Sequence, residues 1–330
     1  MNIYIIKIIF MGDKLVKEIL KYFPQDMASI INENIRSKQS EVQEIRVRVN
    51  QYIILKFNKE EKIMPYRTSQ NEILQILQKL CDNSIYSYQN QIINGYITIK
   101  GGHRVGITGD VVLENGKVIN IKYISSLNFR IAHKIIDCSI PVLRYVLNSE
   151  NNEIYNTLIV SSPGAGKTTM IKDLVNKISN GIPEIYFHGL DVTVIDERGE
   201  IAACFEGVPQ NDLGIRTDVL QNVTKAIGIK MAVRSMAPKV IVADEIGNKE
   251  DVEAIEYAVC SGVKGIFTAH GDSLEEVLAN SELEKLLKSE IIERIIFLDK
   301  KTKGKISKVY ELSRKNKEYV DTEISDKKVS

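Results

Sequence analysis

The chain has 330 residues and a mass of 37.3 kDa, with 44% hydrophobic and 26% charged residues, the profile of a globular protein with room for two cores. A net charge of +1 and a pI near 7.6 exclude a bulk electrostatic footprint for nucleic acid and leave only a local basic stripe open. The four cysteines, Cys81, Cys138, Cys204 and Cys260, are scattered without a C-x-x-C pair, which argues against a disulfide framework or a zinc site.

The opening MNIYIIKIIF is apolar but short, and it lacks a basic region in front and a small-residue cleavage site behind, so it does not read as a signal peptide. Met11 is an alternative start, in which case residues 1–10 are not translated; otherwise they are a short packing segment. No apolar run in the chain reaches the roughly 18–20 residues of a membrane span. Apolar spacing predicts helices over 14–36, broken at Pro24, and over 71–81. Strands are predicted over 43–49 and 52–57, a short helix and strand over 91–99, and a strand over 105–112. Asn115-Gly116 between Val111-Val112-Leu113 and Val118-Ile119 signals a hairpin, and 125–133 reads as a connector. Residues 1–134 are therefore expected to form a smaller α+β domain with a linker.

From Pro141 onward strands and helices alternate. Helices are predicted at 141–148, 167–178, 219–230, 250–260 and 273–287. Strands are predicted at 157–160, 185–187, 191–196, 239–243, 263–268, 293–298 and 305–312, with a frayed tail from Ser313. This alternation predicts an α/β domain over 135–330 with a mostly parallel sheet flanked by helices.

The stretch Ser161-Ser162-Pro163-Gly164-Ala165-Gly166-Lys167-Thr168-Thr169 lies between the apolar strand Leu158-Ile159-Val160 and a helical pattern, the context a phosphate-binding loop requires. Gly164 and Gly166 let the backbone turn its N–H groups toward phosphate oxygens, where a Cβ would obstruct, and the helix N-terminus behind them adds partial positive charge. Lys167 is positioned to reach the β- and γ-phosphates and the Thr168 hydroxyl to hold Mg²⁺; Pro163, Gly164, Ala165, Gly166, Lys167, Thr168 and Thr169 form the predicted nucleotide loop. The full pattern wants glycine at 161, where this chain has Ser161.

Lys239–Glu245, KVIVADE, is an apolar strand ending in two acids: Asp244 for the metal, Glu245 to orient and deprotonate an attacking water. Val194-Ile195-Asp196-Glu197-Arg198 ends another strand in charges and, taken alone, fits a solvated strand end as well as a site. Gly265–His270 ends a strand in Thr268 and His270, and His270 is a candidate sensor of the γ-phosphate. Arg234, Arg216, Arg104 and Arg130 are candidates for the guanidinium that stabilises developing charge. Asn248-Lys249-Glu250-Asp251 matches a guanine-reading string but sits at a helix start, where it reads as an N-cap with acids in the first turn.

In that order, SSPGAGKTTMIKDLV, VIDERGEIAA, MAVRSMAPKVIVADEIG and GIFTAHGDSLEEV resemble the sporulation branch of the type II/IV secretion (traffic) ATPase superfamily, and EIRVRVNQYIILKF, GGHRVGITGD and SSLNFRIAHKI extend the likeness to residues 14–312. The resemblance implies a RecA-like P-loop NTPase domain behind a mobile N-terminal domain, in a hexameric ring hydrolysing ATP with Mg²⁺. It implies Asp196 and Glu197 as aspartate-box acids, Asp244-Glu245 as the Walker B pair and His270 as the histidine-box residue. Arg104 and Arg130 match the N-terminal phosphate contacts, and Arg234 the arginine before Walker B. The implied partners are further copies of the chain and integral membrane proteins of a sporulation export channel, with the chain on the cytoplasmic, mother-cell side of the membrane. The chain departs from the family at Ser161 and Asn248, and it lacks the four-cysteine zinc insert of some secretion homologues. Two other readings remain at this stage: a RecA-like nucleic-acid motor, and an ATP-gated scaffold with little turnover.

Overall fold

A computed structural model describes residues 18–133, 135–313 and 315–322, so the readings of residues 1–10 and of the last residues of the tail lie outside it. The chain divides into two compact units. The first reaches to His133 and also takes in Phe205–Gln210, a segment the sequence reading assigned to the second; the second comprises Lys134–Cys204 and the chain from Asn211.

The first unit contains α1 (Gln25–Ile35), β1 (Val42–Arg48), β2 (Tyr52–Phe57), β3 (Glu61–Arg67), α2 (Gln70–Leu80), α3 (Gln89–Ile93), β4 (Tyr96–Ile99), β5 (His103–Glu114) and β6 (Lys117–Arg130). Its sheet runs β3-β2-β1-β6-β5-β4, antiparallel throughout. Period-two alternation sends Ile45, Val47, Leu55, Val105 and Phe129 into one core, where Phe23 stacks on Phe129 with centroids 4.6 Å apart. α2 starts on a capping box: Glu72 N–H donates to Ser69 Oγ at 3.3 Å, and Ser69 N–H donates to Glu72 Oε2 at 2.7 Å. Asn115 and Gly116 both take positive φ and turn the β5–β6 hairpin as predicted. The predicted connector at 125–133 is instead strand as far as Arg130, because β6 pairs with β1 on one side and β5 on the other. β3 had no counterpart in the sequence reading; its pattern is mostly exposed, with only Met64 buried.

The second unit contains α4 (Ile140–Val146), β7 (Thr157–Val160), α5 (Lys167–Asn180), β8 (Val192–Asp196), β9 (Thr217–Gln221), α6 (Lys225–Ser235), β10 (Val240–Ala243), α7 (Lys249–Cys260), β11 (Lys264–Ala269), α8 (Leu274–Ala279), α9 (Ser281–Lys288), β12 (Arg294–Leu298), β13 (Ile306–Ser313) and β14 (Glu318–Thr322). Its main sheet orders these strands as β9-β8-β10-β11-β7-β12-β13-β14, parallel from β9 to β12 and antiparallel at the last two pairings. The central strands are buried on both faces, so they read as unbroken apolar runs. Ile159, Val194 and Val242 pack toward Met170 and Leu174 of α5, while Leu158, Ile241 and Ala243 pack toward Ile229 and Ile255 of α6 and α7. Each such aliphatic side chain contributes about 1.5–3 kcal/mol on burial.

Several boundaries differ from the sequence reading, among them the predicted strand 185–187, which is a 3₁₀ turn at Pro183–Ile185 with only Phe187–His188 as strand. The predicted helix 219–230 is strand β9 and then α6, because Thr217–Gln221 joins the parallel ladder of β8. The predicted helix 273–287 breaks at Asn280, whose Oδ1 accepts from the N–H groups of Glu282 and Leu283 and starts α9. The tail beyond Ser313 is not frayed through its described part, since β14 pairs with β13. Asn248 caps α7 by accepting from Asp251 N–H at 2.8 Å, the reading given to its guanine-like string. No helix among the described residues is long and apolar enough to cross a membrane.

Candidate functional site: a phosphate loop facing paired acids

Parallel strands present their C-terminal ends to one edge of the sheet, and loops leaving that edge can build a site together. β7 ends just before Ser161, β8 at Asp196, β10 just before Asp244, and β11 just before His270. β11 lies between β7 and β10, so its end sits between the phosphate loop and the acidic pair.

The loop 161–166 turns through Gly164 at φ 81° and Gly166 at φ 100°, and Gly166 caps α5. A Cβ on Gly164 would meet no atom of the protein within 4 Å, so within the protein itself it is the left-handed backbone that favours glycine there. Ser161 keeps φ outside the left-handed region, which is why serine is tolerated where the pattern wants glycine. Its carbonyl accepts from Lys167 Nζ at 2.7 Å and its Oγ lies 3.2 Å from the same ammonium. Lys167 is buried, and that desolvation lowers its pKa, opposed by the charges of Asp244, Glu245 and Asp272.

Thr168 donates its hydroxyl to Asp244 Oδ2 at 3.1 Å. Thr268, fully buried at the end of β11, donates to the other oxygen of Asp244 and accepts from Glu245 N–H at 2.7 Å. Glu245 itself stands at φ 55°, a left-handed position that aims its side chain from the strand end. His270 Nδ1 lies 3.4 Å from Lys167 Nζ and its Nε2 3.0 Å from Glu245 Oε1; with Nε2 protonated and Nδ1 accepting, both contacts are satisfied. A pocket of about 440 Å³ opens over these groups. Its polar wall includes Lys167, Thr168, Glu245 and His270, and Ile135, Cys138 and Met170 give an apolar side next to Thr169. Ala165 turns its carbonyl to Gly304 N–H at 3.0 Å, which brings Lys303 and Gly304 of the β12–β13 turn to the pocket rim.

The predicted acids at 196 and 197 face different partners. Asp196, almost fully buried, accepts from the N–H groups of Glu200, Ile201 and Ala202 at 2.8, 3.1 and 2.7 Å and so braces the turn after β8. Glu197 is ion-paired with Lys225, which lies 3.8 Å from Asp251. Neither is in the pocket wall, which Glu200 of the same turn does reach. Arg234 is exposed in the last turn of α6 and does not line the pocket. Arg216 donates to the Ser179 carbonyl at 2.9 Å. Arg104 stacks over the Tyr96 ring at 4.1 Å, and it stands directly opposite Arg130 in the β5–β6 register, so both belong to the first unit. The arginine that does meet a predicted catalytic group is Arg198, ion-paired with Glu245 Oε2; its strand end was singled out in the sequence, but the arginine itself was not. Thr268 and Asp272, which accepts from Ser162 Oγ and pairs with Lys300 at 2.9 Å, were not assigned roles either. Nothing in their spacing separates them from ordinary strand-end and helix-start residues.

The family model for sporulation stage III, protein AA, matches residues 14–317. The stage III sporulation protein AA of Bacillus subtilis is 35% identical over 297 residues, covering 90% of this chain and 95% of that protein. Among solved structures, the Legionella pneumophila ATPase DotB superposes with a TM-score of 0.53 at 16% identity over 91% of this chain and 79% of its own. The pilus retraction motor PilT with bound ADP superposes with a TM-score of 0.54 at 17% identity over 81% of this chain and 76% of its own. At these identities the structural likeness speaks for the α/β fold, while the sequence match speaks for descent. The chain belongs to the family of sporulation stage III, protein AA.

Proposed function

We propose that the chain is a Mg²⁺-dependent ATP hydrolase of the RecA-like, secretion-ATPase type, acting as a ring of copies that powers assembly of, or export through, a sporulation channel in the mother-cell membrane. One observation carries the reading: the phosphate loop, its buried lysine, Glu245 and His270 line one pocket, and Asp244 meets the loop through the Thr168 hydroxyl. Strand order supports the RecA-like type, since the strand carrying the acids is separated from the loop strand by one inserted strand. The family supports the setting in sporulation, and the fold shared with the ATPase DotB and the pilus retraction motor PilT suits a nucleotide-driven motor.

The N–H groups at the start of α5 and the Lys167 ammonium hold the β- and γ-phosphates. The Thr168 hydroxyl and the Asp244 carboxylate, 3.1 Å apart, are hard oxygen donors that suit Mg²⁺. When bound, Mg²⁺ supplies charge neutralisation across the phosphate oxygens. Glu245 orients the attacking water and takes its proton, and His270 links that base to the lysine. Ile135, Cys138 and Met170 receive the apolar face of the base. Arg104 and Arg130, directly opposite each other in the β5–β6 register of the first unit, supply charge to the site of a neighbouring copy. The partners are further copies of the chain and integral membrane proteins of the channel.

Equilibrium binding of ATP with and without Mg²⁺ tests the site. Wild type binds, Mg²⁺ tightens binding, and Lys167→Ala weakens it about 10–100-fold. Binding that is indifferent to both Mg²⁺ and Lys167 removes this pocket as the nucleotide site.

A further inference from the structure

Glu245 cannot serve as a base in the arrangement it has here without a partner letting go. Both its oxygens are engaged, Oε1 by His270 and Oε2 by the Arg198 guanidinium. A carboxylate oxygen held by a guanidinium is not turned to an attacking water. Arg198 is therefore on the wrong partner for hydrolysis, and its surroundings show how it could change partners. Its turn is fixed from below by Asp196, whose three N–H contacts anchor residues 200–202. The Arg198 side chain is 67% exposed, against 26% for Glu245, so it can swing without unpacking a core. Glu200, two residues along the same turn, already reaches the pocket over the phosphate loop. A cleft of about 20 Å³ lies between this turn and the Asp244-Glu245 strand end, room for about one water between Arg198 and its surroundings.

We propose that Arg198 is a γ-phosphate ligand supplied in cis, exchanging Glu245 for the terminal phosphate when ATP binds. The inference rests on the nucleotide-hydrolase reading above and names a residue that reading does not use. A terminal phosphate carries more negative charge than a carboxylate and offers three oxygens to the planar guanidinium, so it out-competes Glu245. ADP has no such group and leaves the pair closed. The same exchange frees Glu245 Oε2 for the attacking water only when there is a phosphoryl group to transfer. The role assigned to Asp196 follows: it is a positioning residue that holds the turn at the height from which Arg198 can reach both partners.

The test is a binding cycle on the full-length protein with Mg²⁺, comparing ADP with the non-hydrolysable β,γ-imido analogue of ATP. Arg198→Ala weakens the analogue by about tenfold, the loss of one charge-assisted contact, and leaves ADP unchanged. Arg198→Lys falls between the two. Glu245→Gln tightens the analogue in the Arg198 background, because the competitor is gone, by several-fold more than the same change does in the Arg198→Ala background. Unchanged ADP affinity shows that the variants are folded. Equal losses for ADP and the analogue, no loss for either, or a Glu245→Gln effect that is the same in both backgrounds overturns the exchange. Failure of the wild type to bind either nucleotide overturns the hydrolase reading instead, and because the cycle measures binding, a chain that binds but does not turn over still tests the exchange.

Discussion

Lys167 carries its ammonium into a buried site, held by the Ser161 carbonyl and opposed by nothing but desolvation; the nearby carboxylates favour its charged form. A phosphate completes that arrangement, so Lys167→Ala weakens ATP binding about 10–100-fold, measurable by titration with a fluorescent nucleotide. Asp196 answers to a different readout. Removing its carboxylate strands three N–H donors in a buried turn, and Asp196→Ala lowers stability by about 2–4 kcal/mol, seen as a fall in thermal midpoint. Arg198→Ala, at a largely exposed side chain, leaves the midpoint nearly unchanged. At this scale the site was partly legible. The loop 163–169, Asp244, Glu245 and His270 announce themselves because their chemistry fixes residue type and spacing. Arg198 and Thr268 do not, because their contacts depend on which strand end faces which. Asp196 looks the same in sequence whether it braces a turn or meets a substrate.

Among elements, the turn between β4 and β5 shows the tightest coupling of sequence to structure. His103 is buried, accepts from Ala132 N–H at 3.0 Å, and has its pKa pushed down to about 4 by burial, with His133 adding to the shift. In the unfolded chain the imidazole takes a proton below its ordinary value near 6.5, while in the fold it stays neutral down to about 4. Stability from this residue is thus full above about pH 6.5 and is lost as pH falls toward 4, by about 3 kcal/mol in all. Hydrogen exchange of the β4 and β5 amides at pH 7.5 and 5 checks this: protection falls in wild type, and the fall shrinks in His103→Asn. Gly101 stands at φ 89° with a built Cβ 2.8 Å from His103 Nε2, so Gly101→Ala costs about 1–3 kcal/mol in the same assay. The hairpin at Asn115-Gly116 and the buried strands of the second unit were readable, since turn chemistry and unbroken apolar runs are local. β9 and the end of β6 were not: Thr217–Gln221 and 125–130 become strands through ladders with distant partners, which no local pattern records.

For the whole molecule the claim is that one pocket hydrolyses ATP and that copies complete one another. If Arg130 serves a neighbouring copy, Arg130→Ala and Glu245→Gln proteins, each nearly inactive alone, recover activity when mixed, because mixed rings contain sites with both groups intact. Absence of recovery places Arg130 outside any shared site. The central claim is tested most directly by phosphate release from the purified chain with Mg-ATP, for wild type and Glu245→Gln, over a range of protein concentration. The account predicts a specific activity that rises with concentration and falls about 10²–10⁴-fold in Glu245→Gln. Turnover that survives Glu245→Gln, or tight ATP binding with no turnover at any concentration, contradicts it and leaves a nucleotide-gated scaffold in its place.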